Sequence, residues 1–160
     1  MEEIRIRPID ESDRSWVTCF IREHWVSEIV VTHGEVFRPA ELPGFIADND
    51  GEPLGLITYN IVDCGLEIVT LDSLHEAIGV GTALINEVKE TARSSGCTCV
   101  RVTTTNDNLY ALGFYQKRGF CIIAVRPNAM DATRKIKPNV PTIGIDGIPL
   151  RDEIELKYRL

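Results

Sequence analysis

The chain has 160 residues, 44% hydrophobic and 26% charged, enough apolar material for one core and too much for a disordered chain. Its 17 Lys+Arg face 24 Asp+Glu, a formal net charge of −7, which speaks against a general binder of nucleic acid or of an anionic membrane. No apolar run approaches the roughly 20 residues that span a bilayer, and the acidic start Met1-Glu2-Glu3 is unlike a signal peptide.

In chain order, Ile4–Arg7 alternates as a short strand and stops at Pro8. Asp10 to Val31 reads as a helix, with Trp16, Phe20 and Trp25 at helical spacing and Asp10, Ser12 or Asp13 as cap. Thr32–Gly44 is turn-rich. Strands at Phe45–Ala47 and Leu54–Val62 flank Asp48-Asn49-Asp50-Gly51, a hairpin signal. Leu66–Leu71 reads as a central strand. From Gly79 to Ser95 the stripe Val80, Leu84, Ile85, Val88 and Ala92 predicts a helix ended by Gly96. A strand at Val100–Val102, a helix over about Asn108–Arg118 closed by Gly119, and a core-like strand at Cys121–Val125 follow. Pro127–Pro149 reads as a long loop with at most one helical turn, and its Arg134, Lys135 and Lys137 as a solvated basic face. Ile154, Leu156, Tyr158 and Leu160 alternate with charged residues, as in a last strand near an edge. This order predicts a single domain over 1–160, with a mixed sheet and helices on both faces.

Two segments carry chemistry. The strand Leu66–Leu71 passes through Asp72–Ile78 into Gly79-Val80-Gly81-Thr82, where two glycines open a helix. Glycines let a ligand approach the backbone, and free N–H groups at a helix start suit a phosphate. The same glycines also fit a tightly packed helix start. Leu84 stands where a dinucleotide fingerprint needs a third glycine, and no lysine follows Gly81 as a P-loop requires. The second segment is Asn108-Leu109-Tyr110-Ala111, then Phe114-Tyr115, then Gly119-Phe120. The histidines and cysteines show no metal-ligand spacing; scattered and odd in number, the cysteines fit reduced thiols in a cytoplasm.

At these residues the chain resembles the GNAT superfamily of N-acetyltransferases, specifically over about residues 54–126. The resemblance implies an α/β fold with a mixed, mostly antiparallel sheet of six or seven strands whose fourth and fifth strands splay. It implies acetyl-CoA as co-substrate and direct transfer to a primary amine of a small molecule or peptide, with a homodimer as an open option. Backbone groups at Val69 and Leu71 would pair with the pantetheine. The turn Ala77, Ile78, Gly79, Val80, Gly81 and Thr82 would hold the diphosphate, and Asn108 would line the pantetheine arm. Tyr115 would protonate the leaving thiolate. Glu67, which unbroken alternation puts on the same face as Leu71, is the candidate base, or else a satisfied strand residue. Where the family carries Arg or Gln, this chain has Glu76, and its turn has no Lys or Arg. That departure motivates the alternative, a non-catalytic acyl-CoA sensor. Trp16, Trp25, His33-Gly34-Glu35 and the loop after Pro127 are candidate acceptor contacts.

Overall fold

The computed structural model describes residues 3–74 and 79–160. Strand β1 (Arg5–Pro8) leads into a turn where Asp10 and Asp13 cap each other's backbone N–H groups, and helix α1 (Arg14–His24) starts there. The helix stops short of the expected Val31. Val26 takes a positive φ of 72°, and the β-branched run that follows forms β2 (Val30–Thr32). Strand β2 pairs with β3 (Glu35–Phe37) in a hairpin inside the turn-rich stretch.

The main sheet contains β1, β4 (Gly44–Asn49), β5 (Glu52–Val62), β6 (Gly65–Ser73), β7 (Cys99–Thr105), β8 (Cys121–Arg126) and β9 (Glu153–Arg159). Its order is β1-β4-β5-β6-β7-β9-β8, antiparallel throughout except for β6 against β7. Helices α2 (Val80–Ser94) and α3 (Leu109–Lys117) cover one face, closing a core that includes Leu66, Ile68, Leu84, Val88, Tyr115 and Leu156. Helix α1 covers the other face, packing Val17, Phe20 and Ile21 on Ile46 and Leu56. This is the mixed, mostly antiparallel seven-stranded architecture expected.

Two expectations are corrected and one is sharpened: the last strand is near the edge without forming it, β9 lying between β7 and β8 with Leu156 buried and Ile154, Tyr158 and Leu160 half-buried. The edge is β8, where Cys121, Ile122, Ile123 and Val125 are exposed, so Cys121 does not start a core strand. The proline-rich loop holds helix α4 (Ala129–Ile136), which buries Met130 and Thr133. Among the described residues, no helix is long and apolar enough to cross a membrane.

Two features of β6 position the site. Its pairing with β7 covers only Gly65–Ile68 against Cys99–Val102; beyond that, β6 runs to Ser73 and β7 to Thr105 without pairing to each other. These are the fourth and fifth strands of the main sheet in chain order. Second, a bulge interrupts the β5–β6 register: Tyr59 faces Ile68 and Thr58 faces Thr70, so Val69 is the extra residue. Ile68 packs in the α2 core and Val69 in a separate cluster with Val30 and Phe37. Past the bulge the parity flips, and Leu71 joins the α2 side. Glu67 and Leu71 therefore lie on opposite faces, contrary to simple alternation.

Candidate active site

The gap between β6 and β7 is a cavity of about 320 Å³, lined by Val69, Leu71, Thr103, Asn108 and Tyr115 among others. Beyond Ile68 no pairing with β7 covers that side of β6, so backbone groups at Val69 and Leu71 border the gap. A second cavity of about 340 Å³ continues from Leu71 and Ser73 to the start of α2, and Asn108, Ala111, Phe114 and Tyr115 close it from α3.

The start of α2 is built to leave donors free. Gly79 holds φ +85°, a conformation other residues rarely adopt, and provides no side-chain cap. The Ala83 N–H bonds back to the Gly79 carbonyl, so the amides of Val80, Gly81 and Thr82 precede the first intrahelical bond. They sit at the positive end of the helix dipole. Gly81 fits closely: a Cβ there would stand 3.0 Å from the Phe114 ring, which would have to give by a few tenths of an ångström. Of the expected turn, Gly79, Val80, Gly81 and Thr82 line this cavity, while Ala77 and Ile78 lie outside the described residues, as do His75 and Glu76.

Sequence reasoning missed the cation of this cavity. Arg118, at the end of α3, donates to Thr82 Oγ1 from Nε (3.0 Å) and Nη2 (2.8 Å) and to the Phe114 carbonyl from Nη1 (2.8 Å). Its guanidinium stacks 3.6 Å above the Phe114 ring. The residue lies beside Gly119 of the motif, so proximity in sequence could have flagged it.

Tyr115 lines both cavities and is buried. Burial, reinforced by the charge of Asp72, pushes its hydroxyl well above the ordinary tyrosine range, so it keeps its proton at neutral pH. Asn108 caps α3 by accepting the Ala111 N–H at 3.0 Å, and it lines the gap as well.

Asp72 was not anticipated. It follows Leu71 and turns to the α1 face, where Trp25 Nε1 donates to its carboxylate. Trp25 thus becomes a wall of the gap, whereas Trp16 packs with α1.

Glu67 is buried on the face that carries the β2–β3 hairpin, and His33 of that hairpin donates from Nε2 to its Oε1 at 2.6 Å. With Glu67 ionised, Nε2 is the atom that carries the shared hydrogen. Neither residue lines the gap itself. Glu67 and Val69 share a face, about 6–7 Å apart along the strand. Next to this pair Glu153, also buried, accepts from the His33 N–H at 3.0 Å and from Thr32 Oγ1 at 3.3 Å.

On that face a third cavity, about 270 Å³, opens from the gap: Trp25, Val69, Thr103 and Asn108 belong to both. Lys137 borders it. The solvated basic face expected there is corrected at this residue, because Lys137 is 8% exposed and donates to the carbonyls of Trp25 (2.7 Å) and Ile29 (2.8 Å).

Comparison with known proteins agrees with this anatomy. The family model described as Acetyltransferase (GNAT) family matches residues 5–120. YdhI of Bacillus subtilis (strain 168), itself described as uncharacterized, is 43% identical over 150 residues, covering 93% of this chain and 94% of its own. Among solved structures, an IAA acetyltransferase from Bacillus cereus ATCC 14579 superposes with a TM-score of 0.76 at 21% identity, covering 99% of this chain and 100% of its own. A Bacillus subtilis acetyltransferase in complex with CoA gives 0.72 at 20% identity, covering 99% of both chains.

Proposed function

Since the chain belongs to the acetyltransferase (GNAT) family, we propose that it is an N-acetyltransferase moving the acetyl group of acetyl-CoA directly to a primary amine. The observation that carries this reading is the unpaired stretch of β6 and β7 leading to a helix start with free amides and a cation. A long thiol-bearing tail with amide groups fits the first as an added strand would. A diphosphate fits the second.

The thioester supplies an activated acyl group; the protein's residues do the rest. Backbone groups at Val69 and Leu71 orient the tail, and Asn108 and Ala111 bound it on the α3 side. The amides of Val80, Gly81 and Thr82, with Arg118, hold the phosphates. Tyr115 donates its proton to the departing sulfur, which a hydroxyl held protonated can do across the neutral range. The amine must shed a proton before it attacks. Glu67 accepts it through His33 or one water, the separation from Val69 being too long for direct contact.

The acidic Glu76 motivated the sensor reading. Arg118 brings to the same cavity the positive charge the turn lacks, so a deficit of charge no longer favours it. Calorimetric titration with acetyl-CoA, followed by a thiol-release assay over a panel of primary amines, tests the proposal. Binding with amine-dependent release of CoA is expected. Tight binding with no release for any amine points to the sensor, and no binding overturns both.

A further inference from the structure

The third cavity, on the face where an acceptor would reach the gap, is bordered by a charge that meets no counter-charge. Its walls are largely apolar, with Val30, Met130 and Leu150 among them, and three ionisable side chains border it, His24, Glu153 and Lys137; the His24 Nδ1 lies 2.9 Å from the Phe20 carbonyl. Glu153 is already served by Thr32 Oγ1, the His33 N–H and the guanidinium of Arg126 at 3.8 Å. Lys137 is not. Its ammonium has three N–H donors, and two go to the Trp25 and Ile29 carbonyls. Among the described residues no carboxylate lies within ion-pair distance of Nζ. Burial pulls the Lys137 ammonium below its ordinary range, as expected for a cation without a counter-charge.

Position gives this charge a use. Trp25, whose carbonyl Lys137 holds, packs in the cluster that contains Val69. The ammonium therefore stands one side chain away from the bulge where the gap begins. An α-amino acid in the cavity with its amine at the gap turns its carboxylate, carried on the same carbon, toward Lys137 and lays its side chain along the apolar walls. A buried ammonium with a donor to spare is best completed by an anionic oxygen.

We propose that the acceptor is an amine that also carries a carboxylate, an amino acid with an apolar body, and that Lys137 pairs with the carboxylate. This rests on the acetyl-transfer reading and adds the class of acceptor. It excludes peptide N-termini as the preferred substrate, because their carbonyl at that position is a neutral amide.

The test compares matched acceptors: L-leucine and L-phenylalanine, their carboxamides, and the decarboxylated amines isoamylamine and phenethylamine. Thiol release from acetyl-CoA should give kcat/KM at least tenfold higher for the acids than for either neutral set, with the difference in KM. In Lys137→Met that ratio should fall toward one; in Lys137→Arg, which keeps the charge, part of it should survive. Neutral amines used as well as or better than the acids would overturn this inference alone, as would an acid preference undiminished in Lys137→Met. No release with any acceptor would overturn the acetyl-transfer reading with it. The wild-type ratio needs no variant, so it decides even if Lys137→Met fails to fold.

Discussion

The indole N–H of Trp25 donates to both carboxylate oxygens of Asp72, at 3.0 and 3.2 Å. Burial still pushes the Asp72 carboxyl up from 3.8 to about 6, against the opposing pull of Trp25 and of His24. Between those values the folded chain keeps a proton that the unfolded chain releases. Stability attached to Asp72 is thus complete at low pH and is lost as pH rises toward about 6. Asp72→Asn keeps an acceptor for Trp25 and has no charge to bury. Its unfolding free energy should fall less between about pH 4 and pH 6.5, the difference from wild type reaching at most about 3 kcal/mol. Urea melts at the two pH values measure this, and equal slopes for both proteins would contradict it.

Tyr115 should matter for rate and little for binding. Tyr115→Phe keeps the ring that packs on Phe120 and removes only the proton donor. We expect kcat to fall roughly a hundredfold with the acetyl-CoA Kd within about threefold of wild type. Because the hydroxyl holds its proton well above the usual range, wild-type activity should show no alkaline limb from Tyr115 below about pH 10. A kcat unchanged in the phenylalanine variant removes Tyr115 from the chemistry.

The pair Glu67 and His33 should act as a unit. Glu67→Gln and His33→Ala should each lower kcat by roughly tenfold to a hundredfold, and the double variant should lose little more than the worse single one. Both should leave the acetyl-CoA Kd within about threefold of wild type. Fully additive losses would mark Glu67 as a structural strand residue held by His33.

Arg118 supplies the cation that the diphosphate turn lacks. Arg118→Gln should raise the acetyl-CoA Kd roughly tenfold, and the loss should shrink as salt is added. Titrations at low and high ionic strength check both parts. The affinity of desulfo-dephospho fragments should follow the same order if the contact is to the diphosphate. A variant that binds as tightly as wild type at low salt leaves Arg118 as a strut between α3 and α2.

Much of this was legible in the residues. The helix start at Gly79–Thr82 was legible because helix periodicity and glycine placement are local signals, whereas its link to the segment from Asn108 to Phe120 came from the family resemblance; residues of both line the cavity. The placement of β9 was not legible, since its alternation suits either a central or an edge position and only long-range pairing decides. Lys137 read as solvated because a basic run normally is, and its burial depends on carbonyls 108 and 112 residues away in sequence. The opposed faces of Glu67 and Leu71 were hidden for the same reason: a bulge is a property of the paired strands and leaves no composition signal in Ile68-Val69-Thr70.

That bulge divides labour along one ribbon. Upstream of Val69 the odd-numbered side chains serve the proton-handling side; downstream, Leu71 and Ser73 serve the carrier's channel while Asp72 returns to the opposite wall. Deleting Val69 would remove the bulge and join the Tyr59–Ile68 and Thr58–Thr70 pairs in unbroken alternation, so Leu71, Asp72 and Ser73 would keep their faces and only the side chain packed on Val30 and Phe37 would be lost. A residue removed from the regularly paired stretch instead, at Thr70 or Leu71, would send every side chain beyond it to the other face and should be far more damaging than the loss of Val69.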